Sequence, residues 1–162
     1  MVCLQKVDAD STTFMLERLD DTRILGGEIA RVLIPGMVIL LEGELGAGKT
    51  TLVREICGSL GWHRTCSPSF SLVNEYAQAK IPVAHADLYR LDCVDGRDFG
   101  FDDYLDEGWI LLVEWPERLI SADFAELWRC RIDCVGDKRL ISICAEGEEA
   151  IESLRRLTKF FS

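Results

Sequence analysis

The sequence is short of positive charge, of proline, of histidine and of long apolar runs. Its 18 Lys and Arg face 28 Asp and Glu, a formal net charge of −10. Such a surface repels nucleic acid and anionic membrane at long range. A role near nucleic acid would leave the holding to a partner. No apolar run approaches the roughly 20 residues needed to cross a bilayer. The amino-terminal residues lack the basic-then-apolar pattern of a secretory signal, so a cytoplasmic protein without membrane contact is expected. There are four prolines in 162 residues, with no Ser/Gly/Pro-rich stretch, repeat or low-complexity tract, so one domain over 1–162 is expected. The two histidines, His63 and His85, have no Cys or Asp at ligand spacing, which argues against a protein zinc site. The seven cysteines are odd in number and include no Cys-x-x-Cys pair. They read as free thiols, acting as small core hydrophobes in a reducing compartment.

Apolar residues make up 48% of the chain, enough for a globular core. Thr12 to Leu16 reads as a short first strand. Asp20 and Asp21 can cap a helix whose inward face is Leu25, Ile29, Val32 and Leu33. Met37 to Leu41 and Trp109 to Val113 are continuous apolar runs, as strands buried on both faces would be. Between these two runs, Thr51 to Leu60 is a helix, and Phe70–Tyr76 and Ile81–Leu88 are two strands joined by a short turn. Residues 92–107 are acidic and read as irregular with one short helix. Trp128 to Cys134 alternates with period two, and Gly136-Asp137 turns it into Leu140–Ala145. A closing helix over about 147–161 has its acids first and its bases last, which suits the helix dipole. The expected fold is α/β, a P-loop NTPase-like three-layer domain with a mixed sheet and added antiparallel strands.

Gly43-Glu44-Leu45-Gly46-Ala47-Gly48-Lys49-Thr50 fits the P-loop pattern without a mismatch. Chance gives that pattern in roughly one chain in a few hundred. Here it also sits between a buried strand and an amphipathic helix. The glycines let the backbone curl so that its N–H groups face phosphates. The helix aims its positive end at the same point. Lys49 supplies mobile charge for the β- and γ-phosphates, and the Thr50 hydroxyl can ligate Mg²⁺. Glu114, at the end of the Trp109–Val113 run, is where a second metal-side group belongs. Asp87 ends the other candidate strand and can orient water or hold a water of the metal shell. His85 reads as a phosphate contact or as a hydrogen-bonded histidine of a sheet, with the second favoured. Arg90 and Arg118 are phosphate contacts or, more commonly for such residues, solvated surface groups. Trp115 is a shield over the site or a core residue.

In this order the segments Leu41–Thr51, Ser67–Val73, His85–Leu91 and Val113–Glu117 resemble the bacterial TsaE family. Its members are P-loop ATPases required for threonylcarbamoyladenosine synthesis in tRNA. The resemblance spans about residues 13–145. The Asp-Leu-Tyr-Arg-Leu and Glu-Trp-Pro-Glu segments are its most specific part. It implies ATP and Mg²⁺ as ligands, with Gly43, Gly46, Ala47, Gly48, Lys49, Thr50 and Thr51 around the phosphates. Thr50 and Glu114 are implied as metal ligands, and Lys49 and Asp87 as catalytic groups. Ser67, Pro68, Ser69 and Phe70 look like the family's switch-like loop. The turn around Leu19 to Thr22 lies near the base in the family, with no single side chain assigned. TsaD and TsaB are the implied partners, and tRNA is reached through them. Ser69 stands where threonine is usual and Ala86 where phenylalanine is. The helix beyond about 146 is not covered and reads as lineage-specific.

Two other readings use the same loop. A small-molecule kinase needs an acceptor pocket and usually an arginine-rich lid, whereas 92–107 has Arg97 as its only base. A non-hydrolytic ATP switch would merely set which partner binds. No Asn-Lys-x-Asp motif for guanine is present, which favours adenine.

Overall fold

The computed structural model describes residues 1–65 and 72–162. Ser67, Pro68, Ser69 and Phe70 lie outside the described residues, and so does the expected start of a strand at Phe70.

The centre is built from short apolar runs. Val38–Glu42 (β3) pairs in parallel with Ile110–Glu114 (β7), which pairs in parallel with Val83–Asp87 (β5). Successive side chains of a strand point to opposite faces. Met37, Ile39, Leu41, Ile110 and Leu112 therefore enter one core, and Val38, Leu40, Leu111 and Val113 the other. This is why both runs are apolar throughout. The first core is roofed by Leu19–Val32 (α1), Lys49–Ser59 (α2) and Glu148–Lys159 (α4). The second is covered by Phe101–Asp106 (α3) with Trp115 and Phe124. The expected three layers are present.

Leu127–Val135 (β9) and Lys138–Glu146 (β10) form the expected hairpin on Gly136 and Asp137. The expectation of added antiparallel strands holds for only part of it. β9 runs parallel to β3 and so extends the parallel core, while β10 is antiparallel to β9. Beyond β10 come Ser11–Leu16 (β2) and Cys3–Val7 (β1), both antiparallel. Val73–Tyr76 (β4) pairs antiparallel with β5 at the other edge. The order is β1-β2-β10-β9-β3-β7-β5-β4. β1 was not expected, because four of its five residues are exposed and carry no period-two apolar pattern. The acidic segment has its short helix, α3. Its Val94–Asp95 (β6) also pairs with Leu119–Ser121 (β8) in a separate two-stranded sheet.

α1 starts at Leu19, one residue before the expected caps. Asp21 still serves the helix end, because its carboxylate accepts from the backbone N–H of Glu17 at 2.8 Å and of Arg18 at 3.0 Å. α4 lies over β9, where Trp128 Nε1 donates to the Ala150 carbonyl at 2.9 Å. Six described cysteines are free thiols. Only Cys57 and Cys130 are buried, and burial pushes both thiols up to about 12. Cys3, Cys93, Cys134 and Cys144 are exposed, so the expected role as core hydrophobes fails for them. Cys93 is in a loop, Cys3 is on the edge strand β1, and Cys134 and Cys144 face solvent from β9 and β10. Among the described residues no helix is long and apolar enough to cross a membrane.

Candidate functional site

β3 ends at Glu42 and α2 begins at Lys49, so the P-loop spans the gap between them. Gly43, Gly46 and Gly48 have φ of 148°, 79° and 110°, a region that other residues avoid. A Cβ on Gly43 would also lie 2.6 Å from the Ile132 carbonyl oxygen of β9. Gly46 and Gly48 have no atom within 4 Å of that position, so their backbone angles alone demand glycine. The first turn of α2 has N–H groups with no carbonyl a turn earlier to accept them, and the loop leaves that end open to an anion.

Lys49 lies across this opening. Its Nζ donates to the carbonyls of Gly43 at 2.6 Å and Glu44 at 2.8 Å. It also sits 4.1 Å from the centre of the Trp115 ring. Burial lowers the Lys49 pKa, against the raising pull of Glu114, Glu117 and Asp87. Trp115 is in the left-handed region at φ 61°, alone among the described non-glycine residues. That backbone costs about 1–2 kcal/mol. It turns the chain at the end of β7 so that a half-buried indole faces the lysine while also packing on the second core, so Trp115 belongs to both the cavity wall and the core.

β5 and β7 are in register, so Asp87 stands opposite Glu114 at the carboxyl edge of the sheet. Glu114 is buried. Its Oε1 accepts from the Thr50 hydroxyl at 2.7 Å, and its Oε2 is 2.7 Å from His85 Nε2. The other ring nitrogen of His85 is 3.3 Å from the Tyr76 hydroxyl. Asp87 accepts from the Tyr89 N–H at 3.1 Å. Two oxygens adjacent on an octahedral Mg²⁺ sit about 2.9 Å apart, given Mg–O distances near 2.0–2.1 Å. The Thr50 and Glu114 oxygens already approach that separation. Among the described residues no three His, Cys, Asp or Glu converge as a protein metal cage. A sparse donor set of hard oxygens suits Mg²⁺, which takes its remaining ligands from water and phosphate.

Two cavities flank the loop. One, of about 360 Å³, is lined by Lys49, Thr50, Asp87, Arg90, Glu114 and Trp115. The other, of about 300 Å³, has Leu16, Leu19, Thr22, Ile132, Arg139 and Ile141 in its walls. Gly46, Gly48 and Thr51 line both, so the loop is the partition between them. Ala47 belongs to the second, and Gly43 lines neither. Gly43 instead supports the loop from beneath and gives its carbonyl to Lys49. Arg118 also lines neither, and its Nε is buried without a hydrogen-bond partner among the described residues. Sequence reasoning missed Arg139, whose Nε donates to the Ala47 carbonyl at 3.1 Å from β10. No local signal marks it, because the contact joins residues 92 positions apart. The favoured reading of His85, a hydrogen-bonded histidine of the sheet, is correct, and its partner is Glu114.

A family profile described as "Threonylcarbamoyl adenosine biosynthesis protein TsaE" matches residues 16–141. Several proteins named tRNA threonylcarbamoyladenosine biosynthesis protein TsaE are similar to the chain. That of Synechocystis is 39% identical over 125 residues, covering 70% of this chain and 75% of its own. That of Aquifex aeolicus is 44% identical over 107 residues, 64% of this chain and 76% of its own. That of Bacillus subtilis is 37% identical over 130 residues, 79% of this chain and 82% of its own. The crystal structure of YdiB from Bacillus subtilis superimposes with a TM-score of 0.78 at 26% identity, covering 100% of this chain and 99% of its own. That superposition includes α4, so the closing helix is not peculiar to this chain as its sequence suggests. The shared fold and a profile that runs through the P-loop, Asp87 and Glu114 place the chain in the TsaE family.

Proposed function

We propose that the chain is a Mg²⁺-dependent ATPase that acts with TsaD and TsaB in threonylcarbamoylation of the adenosine next to the anticodon in tRNA. The observation that carries the reading is the 2.7 Å contact between Thr50 and Glu114 beneath the loop, on the cavity that also holds Lys49 and Asp87. The loop N–H groups and the amino end of α2 bind phosphate oxygens, and Lys49 adds a full charge there. Thr50 and Glu114 would hold Mg²⁺, which would supply positive charge beside the β- and γ-phosphates. Asp87 orients the attacking water from the same sheet edge. Trp115 and Tyr89, with ring centroids 4.9 Å apart, wall the cavity and limit access of other water. Across the partition, Leu16, Leu19, Ile132 and Ile141 offer apolar walls to a base, and adenine is favoured because the guanine motif is missing. The net charge of −10 accords with tRNA being held by the partners. The pathway is that of the family and of the relatives named for it.

The kinase reading loses ground, because no residue of 92–107 lines the phosphate-side cavity. The α3 part of that segment packs against β7 in the second core. The test is phosphate release from ATP, measured with and without TsaD and TsaB. Release stimulated by the partners, with no phosphorylated acceptor, is expected. A phosphorylated small molecule would refute the reading in favour of a kinase. Tight binding without release, even with both partners, would refute it in favour of a switch.

A further inference from the structure

A carboxylate that holds a metal must present one oxygen along a fixed direction. Glutamate has three rotatable side-chain bonds, so its neighbours must set that direction. Each Glu114 oxygen has a neighbour at 2.7 Å, and the two neighbours differ in kind. Thr50 is exposed and is itself a metal-side group, so its hydroxyl is free to turn away. His85 is fully buried at the middle of β5, between β7 and the edge strand β4. A carboxylate oxygen that holds a metal only accepts, so in that role of Glu114 the His85 Nε2 is its donor. Nδ1 is then left to accept from the Tyr76 hydroxyl at 3.3 Å, which holds the ring in that tautomer. Tyr76 is 3% exposed, and its ring stacks on Trp62 with centroids 5.4 Å apart. Neither His85 nor Tyr76 lines either cavity.

We infer that His85 is a positioning residue: it clamps Glu114 so that one carboxylate oxygen faces the metal, and Tyr76 fixes the clamp. This rests on the reading of Thr50 and Glu114 as Mg²⁺ ligands. The physical consequence is that metal affinity in the nucleotide complex depends on two side chains buried behind the site. Nucleotide affinity without metal does not.

The experiment is a Mn²⁺ titration followed by electron paramagnetic resonance, on the protein with a non-hydrolysable ATP analogue. His85→Gln places an amide nitrogen where Nε2 stands and keeps a donor for Glu114. His85→Asn places its nitrogen near Nδ1 and loses that donor. Both are polar substitutions at the same buried position, so a purely structural role would affect them alike. His85→Asn is expected to raise the Mn²⁺ Kd about 10–100-fold. His85→Gln should stay within about threefold of the unmodified protein. Affinity for the analogue in EDTA should be unchanged in both. An unchanged Mn²⁺ Kd in His85→Asn, or equal losses in the two variants, overturns the inference. Should His85→Asn show no cooperative melt, Tyr76→Phe decides instead. A several-fold rise in its Mn²⁺ Kd with unchanged metal-free binding supports the clamp, and no change overturns it. Glu114→Ala separates the two levels. If it leaves the Mn²⁺ Kd unchanged, the metal-ligand reading fails and the clamp with it. If it weakens Mn²⁺ while His85→Asn and Tyr76→Phe do not, only the clamp fails.

Discussion

The two ends of the main sheet are built on different terms. The parallel core β5-β7-β3 is roofed on both faces, and its strand ends carry Asp87, Glu114 and the P-loop, while β9 extends it with Arg129 and Arg131 exposed on one face. The antiparallel extension β10-β2-β1 has a core on one face only. There Ile141, Ile143 and Phe14 point inward, while Cys144 and most of β1 meet solvent. The difference follows from connection geometry. Parallel neighbours need crossovers, which place helices on the faces, whereas a two-residue turn can join antiparallel strands with nothing above them. Chemistry concentrates at the first region because crossover loops open at one edge of the sheet and helix amino ends gather there. The second region reaches the site through Arg139 and the wall of the smaller cavity.

Substitutions can break or sharpen that contrast. The largest effect is expected at the loop. Lys49→Ala should lower ATP-dependent phosphate release by about a hundredfold or more, by analogy with the loss of a charge-stabilising donor elsewhere. Circular dichroism should show the fold intact, and turnover at the level of the unmodified protein would refute the site. Next in size is packing. Leu112→Ala in fully buried β7 should cost about 2–5 kcal/mol in denaturant melts. Leu140→Ala on the half-covered face of β10 should cost about 1 kcal/mol or less. Equal costs would erase the proposed difference between the regions. Backbone substitution should follow the same order with smaller values. Gly43→Ala meets both a φ of 148° and the Ile132 carbonyl at 2.6 Å. Gly136→Ala, in the hairpin turn, meets a φ of 58° and open space. About 1–3 kcal/mol is expected for the first and the low end of that range for the second. The mildest test uses the thiols. A chromogenic disulfide reagent at pH 8 should label Cys3, Cys93, Cys134 and Cys144 in the folded protein and spare Cys57 and Cys130, whose thiols burial pushes up to about 12. Fast labelling of either buried thiol would contradict the packing.

Legibility in the sequence tracked burial and local spacing. β3 and β7 were readable because each is apolar on both faces, and α4 because its apolar residues recur at helical spacing. The P-loop was readable because backbone geometry dictates glycine at fixed offsets. β1 was not readable, since its exposed residues owe their extended form to pairing with β2. The parallel pairing of β9 with β3 was missed for the same reason. A period-two pattern states that one face is buried and says nothing of which neighbour lies beside it.

The residue types at the candidate site were thus determined locally: a glycine-rich loop with its lysine, a hydroxyl and two carboxylates. What they do together was decided by register. β5 and β7 align Asp87 with Glu114, and β4 and β5 bring Tyr76 within reach of His85. β10 delivers Arg139 to a loop 92 residues away. Side-chain chemistry is a property of single positions. The hydrogen bonds that aim it depend on distances between strands, and only the packed sheet sets those.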